Sequence, residues 1–155
     1  MSTSTNAILA YGYDLGGADD DWKVREAGEY GELALDWFDA EDDDADFITV
    51  AEKRLLAASG FTETDWHADG YFDRQREAEA RLGVEIESYC SNNFPMYLLA
   101  AKVITVRRGY VETVDPAELT VVPAEWDEKL SAALGVLGLT PLQERARWLL
   151  CSFWA

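Results

Sequence analysis

The sequence predicts an α+β fold, a single domain over residues 1–155 in which an antiparallel meander of about 4–6 strands packs with three to four helices. Three observations carry this. Apolar residues recur with the helical period in two stretches near 46–59 and 124–137, and with period two from 84 to 106. Strands and helices fall in runs, without regular β–α alternation. A chain of 155 residues, 48% hydrophobic, has the size and composition to bury one core unaided, and no repeat or Gly/Ser- or Pro-rich linker divides it.

Taken in order, AILAYGY (7–13) reads as a short buried strand that ends where DLGGADDD turns away from the sheet. WKVREA (22–27) and ELALDWF (32–38) form a hairpin across GEYG, with Leu33, Leu35 and Trp37 on one face. A helix follows from about Asp46 to Ser59, its stripe made of Phe47, Ile48, Ala51, Leu55 and Ala58, with Gly60 placed for a left-handed cap. GYFDRQREAEARL (70–82) is a second, surface helix stopped by Gly83. VEIESYC (84–90), YLLAAKVITV (97–106) and YVETVD (110–115) make the meander, and DPAEL starts a short turn or helix. PAEWDEKLSAALG is a helix with Trp126, Leu130, Ala133, Leu134 and Leu137 inward. TPLQERARWLLCSFWA reads as a last helix, with Thr140 as N-cap, Pro141 at the first position and Gln143 at the third. Its stripe is Leu142, Ala146, Leu149, Leu150 and Phe153, which leaves Trp148 and Cys151 on the opposite side.

Charge narrows the function classes more than any motif does. The net charge is −17, and residues 1–70 hold 18 Asp/Glu against 4 Lys/Arg. Such a field repels nucleic acid and anionic membranes and favours basic partners. No apolar run approaches a membrane span, and MSTSTNAILAYGY lacks the positive n-region of a secretory leader, so a cytoplasmic protein is expected. Cys90 and Cys151 form no disulfide framework and read as reduced thiols.

DWFDAEDDDADF (36–47) concentrates this charge, with six carboxylates between Asp39 and Asp46. Asp43, Asp44 or Asp46 suits the helix start, where a carboxylate faces the positive end of the dipole. An EF-hand loop counted from Asp39 would need Gly at position 44 and Glu at 50, where Asp44 and Val50 stand, so no metal loop is expected. His67, the one histidine, lies two residues from both Asp65 and Asp69 and would make an acid–base pair or a surface turn. Glu85 and Glu87 share a strand face with Cβ atoms roughly 6–7 Å apart, a pairing used in glycoside chemistry and also ordinary on an exposed strand. Cys90 has no motif around it that marks a nucleophile. Gly16 and Gly17 are followed by three aspartates and no lysine, the wrong sign for a phosphate loop. Arg107 and Arg108 at RRGY read as protection of a strand edge.

NAILAYGYDLGG, EYGEL, GFTETDW, ADGYF and VEIESYC together resemble a group of small acidic proteins of actinobacteria and their phages that have no assigned function. The resemblance covers most of the chain up to about Asp115 and implies a cytoplasmic bacterial or phage setting. It carries no catalytic residue, cofactor or substrate to any position here.

The expectation is therefore a cofactor-free interaction protein, not an enzyme, that meets a basic protein surface through Asp39, Glu41, Asp42, Asp43, Asp44 and Asp46. Trp148 on the C-terminal helix is either covered by another element of the core or left for a partner, where it would support a homodimer. Two alternatives are a DNA mimic that inhibits a DNA-binding protein, and a small hydrolase drawing on His67, Glu85, Glu87 and Cys90.

Overall fold

Two long strands, β1 (Thr5–Gly17) and β4 (Pro95–Arg107), pair antiparallel along most of their length and form the spine of the molecule. The computed structural model describes residues 5–17, 21–39, 41 and 46–155. In these residues five strands and four helices make an α+β fold. The other strands are β2 (Asp21–Trp22), β3 (Glu85–Ser91) and β5 (Arg147–Trp154). The helices are α1 (Phe47–Ala58), α2 (Tyr71–Leu82), α3 (Pro116–Thr120) and α4 (Ala124–Leu137).

The sheet runs β2-β1-β4-β3-β5, and β5 also pairs antiparallel with β1 from Thr5↔Trp154 to Gly12↔Arg147. The four strands β1, β4, β3 and β5 therefore close on themselves. The last link is parallel and short, Cys90↔Phe153 and Ser91↔Trp154, so the sheet is mixed and not the purely antiparallel meander expected. At that link Cys90 has φ 73, a left-handed backbone that non-glycine residues rarely adopt.

Closure depends on bending β1 and β4, and two register shifts supply the bend, between Tyr11 and Gly12 and between Asp14 and Gly16. Gly12 is required at the first, because a Cβ there would overlap the Leu99 carbonyl. Gly16 turns the second with φ 69. Asp14 fastens this bulge: its carboxylate accepts from Tyr89 Oη at 2.7 Å, the Gly16 amide at 3.0 Å and Lys23 Nζ at 2.9 Å. Burial and then this hydrogen bond hold the Tyr89 hydroxyl far above the usual tyrosine range, so it donates at every pH the fold experiences. The glycine pair that follows the strand thus serves the bulge and the turn to β2.

Period two along the bent strands divides the core in two. Ile8, Ala10, Leu98 and Ala100 face inward with Leu149, Cys151 and Phe153 of β5. Burial pushes the Cys151 thiol up to about 11, so it packs as a neutral small hydrophobe. The other side carries Tyr11, Leu15, Tyr97 and Leu99 against α1 and α4, whose inward residues are Phe47, Ala51, Leu55 and Leu130, Ala133, Leu137. Those helical stripes match the expectation except at Ala58, which is exposed. Gly60 and Gly83 take the left-handed cap conformations predicted for them, at φ 90 and 68. Asp46 occupies the N-cap position of α1, but its carboxylate accepts from Thr49 Oγ1 at 2.9 Å and not from a backbone amide.

Three expectations are corrected. Trp22 pairs with β1 as the end of β2, and residues 23–38 reverse direction across GEYG but keep only isolated bridges, Ala27↔Leu33 among them, in place of a paired hairpin. This segment is held by aromatic contacts instead, Trp22 and Phe38 on Phe47, and by Trp37 Nε1 donating to the Leu137 carbonyl at 2.8 Å. Residues 110–115 are not a strand. Most consequentially, the C-terminal segment is the strand β5 and not a helix. Thr140 and Pro141 belong to an irregular connection, where Pro141 bridges Val24. Gln143 there caps no helix; its side chain binds the Gly12 carbonyl and the Asp14 amide across the β1 bulge. No helix among the described residues is long and apolar enough to cross a membrane.

Gly12→Ala should destabilise the fold by about 2–3 kcal/mol, because the added methyl forces the two strands apart at their bend. Urea denaturation measures this, and a loss below about 0.5 kcal/mol would show that the strands do not depend on this close approach.

Candidate functional site

Glu52 of α1, Glu79 of α2 and Glu85 of β3 line a single cleft of about 350 Å³. Local sequence explains each placement. On α1 the inward stripe is Ala51 and Leu55, so Glu52 sits beside it at the helix border. On α2 the buried residue is Ala78, and Glu79 is its neighbour. On β3, Ile86 goes into the core and period two turns Glu85 and Glu87 to the other side. The apolar part of the cleft is Leu55, Leu56, Leu82, Val84, Ile86 and Ala100. A second hollow of about 420 Å³, lined by Thr49, Phe61 and Tyr71, shares Glu52, Leu56 and Gln75 with the first.

No lysine or arginine lines the first cleft. Several cations of the surrounding elements are committed elsewhere. Arg74 holds Glu63 through two contacts of 2.6 Å, Arg81 donates to the Ser59 carbonyl at 2.9 Å, and Lys129 donates to the Arg81 carbonyl at 2.6 Å. These bonds tie α1, α2 and α4 together without neutralising the cleft. Glu52 and Glu85 accordingly rise above the ordinary glutamate value, as does Glu87 on the same strand side as Glu85. For Glu52 the largest cause is partial burial, followed by repulsion from Glu79, Asp46, Glu85 and Glu87. For Glu85 it is burial and then Glu79, and for Glu87 burial and then Glu85.

The candidate residues from the sequence are dispersed around this feature. Of the acidic run, Asp42, Asp43 and Asp44 lie outside the described residues. Asp39 and Glu41 are exposed, the Asp39 carboxylate accepting from the Glu41 amide at 3.0 Å. Asp46 is exposed at the start of α1, and its charge reaches Glu52. Trp148 is not presented to solvent on a helix. It packs edge-on against Tyr11 and Trp126, and its Nε1 donates to the Leu119 carbonyl at 2.8 Å. Of the residues considered for hydrolysis only Glu85 lines the cleft. His67 lies in the α1–α2 connection, its ring 3.6 Å from that of Trp66, and Cys90 is exposed at the end of β3. Glu52 and Glu79 were not singled out from the sequence, because nothing local distinguishes them from other helical glutamates. Among the described residues no group of three or more His, Cys, Asp or Glu is arranged to hold a metal ion. The three rim carboxylates therefore surround a space without converging on a point.

No protein family, curated protein or solved structure matches the chain.

The raised carboxylates make a prediction with a defined sign. A glutamate held above its unfolded value contributes stability that is fully present below about 4.5 and is lost as pH rises through its folded value. Glu52→Gln and Glu85→Gln should therefore each stabilise the fold at pH 7, by no more than about 1 kcal/mol given solvent screening, and raise the melting temperature accordingly. The advantage over wild type should disappear by about pH 4. A destabilised variant at neutral pH would show that these carboxylates hold the fold together.

Proposed function

We propose that the chain is a non-enzymatic interaction protein that docks on a basic macromolecular partner and receives one of its lysine or arginine side chains in the cleft between α1, α2 and β3. The observation that carries this reading is the meeting of Glu52, Glu79 and Glu85, from three separate elements, around an apolar floor with no cation on the lining. An alkyl-ammonium or guanidinium side chain has matching chemistry. Its methylene stem covers Leu55, Leu82 and Ile86, and its charged head stays among the carboxylates at the rim. Uptake of a cation also removes the mutual repulsion that now raises Glu52 and Glu85.

The rest of the acidic first half, Asp39, Glu41 and Asp42 to Asp46 among it, acts at longer range. It attracts and orients a basic surface before contact, and in water such charges supply association rate more than affinity. Two free cysteines, one exposed and one half-buried, fit the cytoplasmic bacterial or phage setting that the resemblance implies.

A fluorescently labelled oligolysine peptide tests the cleft against the diffuse field. The triple variant Glu52→Gln, Glu79→Gln, Glu85→Gln should weaken binding about tenfold or more, whereas Glu112→Gln, Glu118→Gln, Glu125→Gln, with the same change in net charge, should weaken it less than about threefold. Affinity should fall between low salt and about 0.3 M salt. Equal losses from the two triples would remove the cleft from the proposal.

A further inference from the structure

The sheet face that holds Tyr11 and Trp148 continues beyond the helices. The first row of that face, Tyr11 beside Trp148, is covered by Trp126 of α4. Two residues further along each strand the same side shows Leu9 beside Ile104 and Leu150. The next row is Ala7 beside Val106 and Ser152, and the last is Thr5 beside Trp154. Leu9, Ile104, Val106, Leu150 and Trp154 belong to neither core cluster. Leu150 is 79% exposed and Trp154 58%.

The strands of this face carry no acid; among the described residues the one carboxylate bonded to it is Asp127 of α4, which accepts from the Tyr11 hydroxyl at 2.7 Å at the helix-covered end. The strand segments that build the face, 5–13, 98–107 and 147–154, contain Lys102, Arg107 and Arg147 but no Asp or Glu, in a chain with 30 acidic residues. Lys102 shares the face with Tyr11, while alternation sends Arg107 and Arg147 to the reverse side. Lys102 and Asp127 both belong to the Tyr11 row, and beyond that row the strands offer apolar area without a charge on this side, which is little to attract a polyanion.

We propose that this face is where two copies of the chain meet about a two-fold axis. Molecules of net charge −17 repel one another over most approaches. A two-fold contact sets the same patch against itself. The strands of this patch bring no carboxylate of their own against another, and Leu150 and Trp154 of both copies exchange water for apolar surface. The self-association expected of Trp148 thus moves along the same strand to residues that are exposed.

Sedimentation equilibrium of the full chain at about 20 mM and about 500 mM NaCl tests the proposal, and salt should tighten the dimer by screening like-charge repulsion. Leu150→Asp and Trp154→Asp should each weaken it about tenfold or more, since each change is made twice per dimer. Phe72→Asp, an exposed apolar residue on α2, should leave it unchanged. Both face residues lie outside the cores, and an unaltered melting curve would confirm that the fold is kept. A wild-type monomer at both salt concentrations overturns the proposal. So does a dimer that loosens with salt, or one indifferent to both face substitutions.

Discussion

The approach of β1 to β4 at Gly12 is the constraint on which the rest of the structure depends. The bend begins there, where the backbone of one strand lies against the Leu99 carbonyl of the other. Bending lets a sheet of few strands close through β3 and β5, and it separates residues on the two sides into an inner cluster and a helix-facing cluster. The bulge is not left to the glycine alone. Asp14 gathers a tyrosine hydroxyl, a backbone amide and a lysine at the second irregularity, and Gln143 returns from the far end of the chain to bind the Gly12 carbonyl. A half-buried carboxylate is costly without partners; with three donors it locks the bend in one register.

The same closure positions the candidate site. Because β3 is tied to β4 on one edge and touches β5 only at its end, its first residues stand at the border of the sheet, beside the C-terminus of α2. Glu85 thereby joins Glu52 and Glu79, which lie on helices whose apolar stripes are directed elsewhere. The cleft is a meeting of borders. That explains both its open, acidic rim and its apolar floor.

Much of this architecture was legible in the sequence because it rests on local rules. The spans of α1, α2 and α4 follow from apolar period, and Gly60 and Gly83 mark two of their ends through φ values that only glycine adopts easily. The period of two across β3 and β4 was equally clear. RWLLCSFW was not, because Trp148, Leu150 and Trp154 on one side and Leu149, Cys151 and Phe153 on the other are all apolar or small. With no polar face the alternation vanishes, and a helical stripe can be drawn through the same residues. Residues 22–38 misled for a different reason. Their period-two pattern is real, but Trp22, Trp37 and Phe38 are spent on packing against Phe47 and the end of α4, which leaves residues 23–38 no partner strand. The cleft could be half seen. Glu85 and Glu87 declare their shared side by spacing, whereas Glu52 and Glu79 meet them only through the packing of two helices on the sheet.

The difficulty of reading β5 has a physical counterpart. A strand that is apolar on both sides needs cover on both, and among the described residues its outer side is covered at Trp148 while Leu150 and Trp154 are exposed. A basic partner docked as proposed at Glu52, Glu79 and Glu85 would lower the negative charge of the copy that binds it, and so lower the repulsion that copy exerts on another. On that reading partner binding and the proposed self-association would favour one another, and by thermodynamic reciprocity a dimer would hold the partner more tightly by the same factor. Two features that look unrelated, one hydrophilic and one apolar, would in this way act as a single device whose setting is the charge of the surroundings.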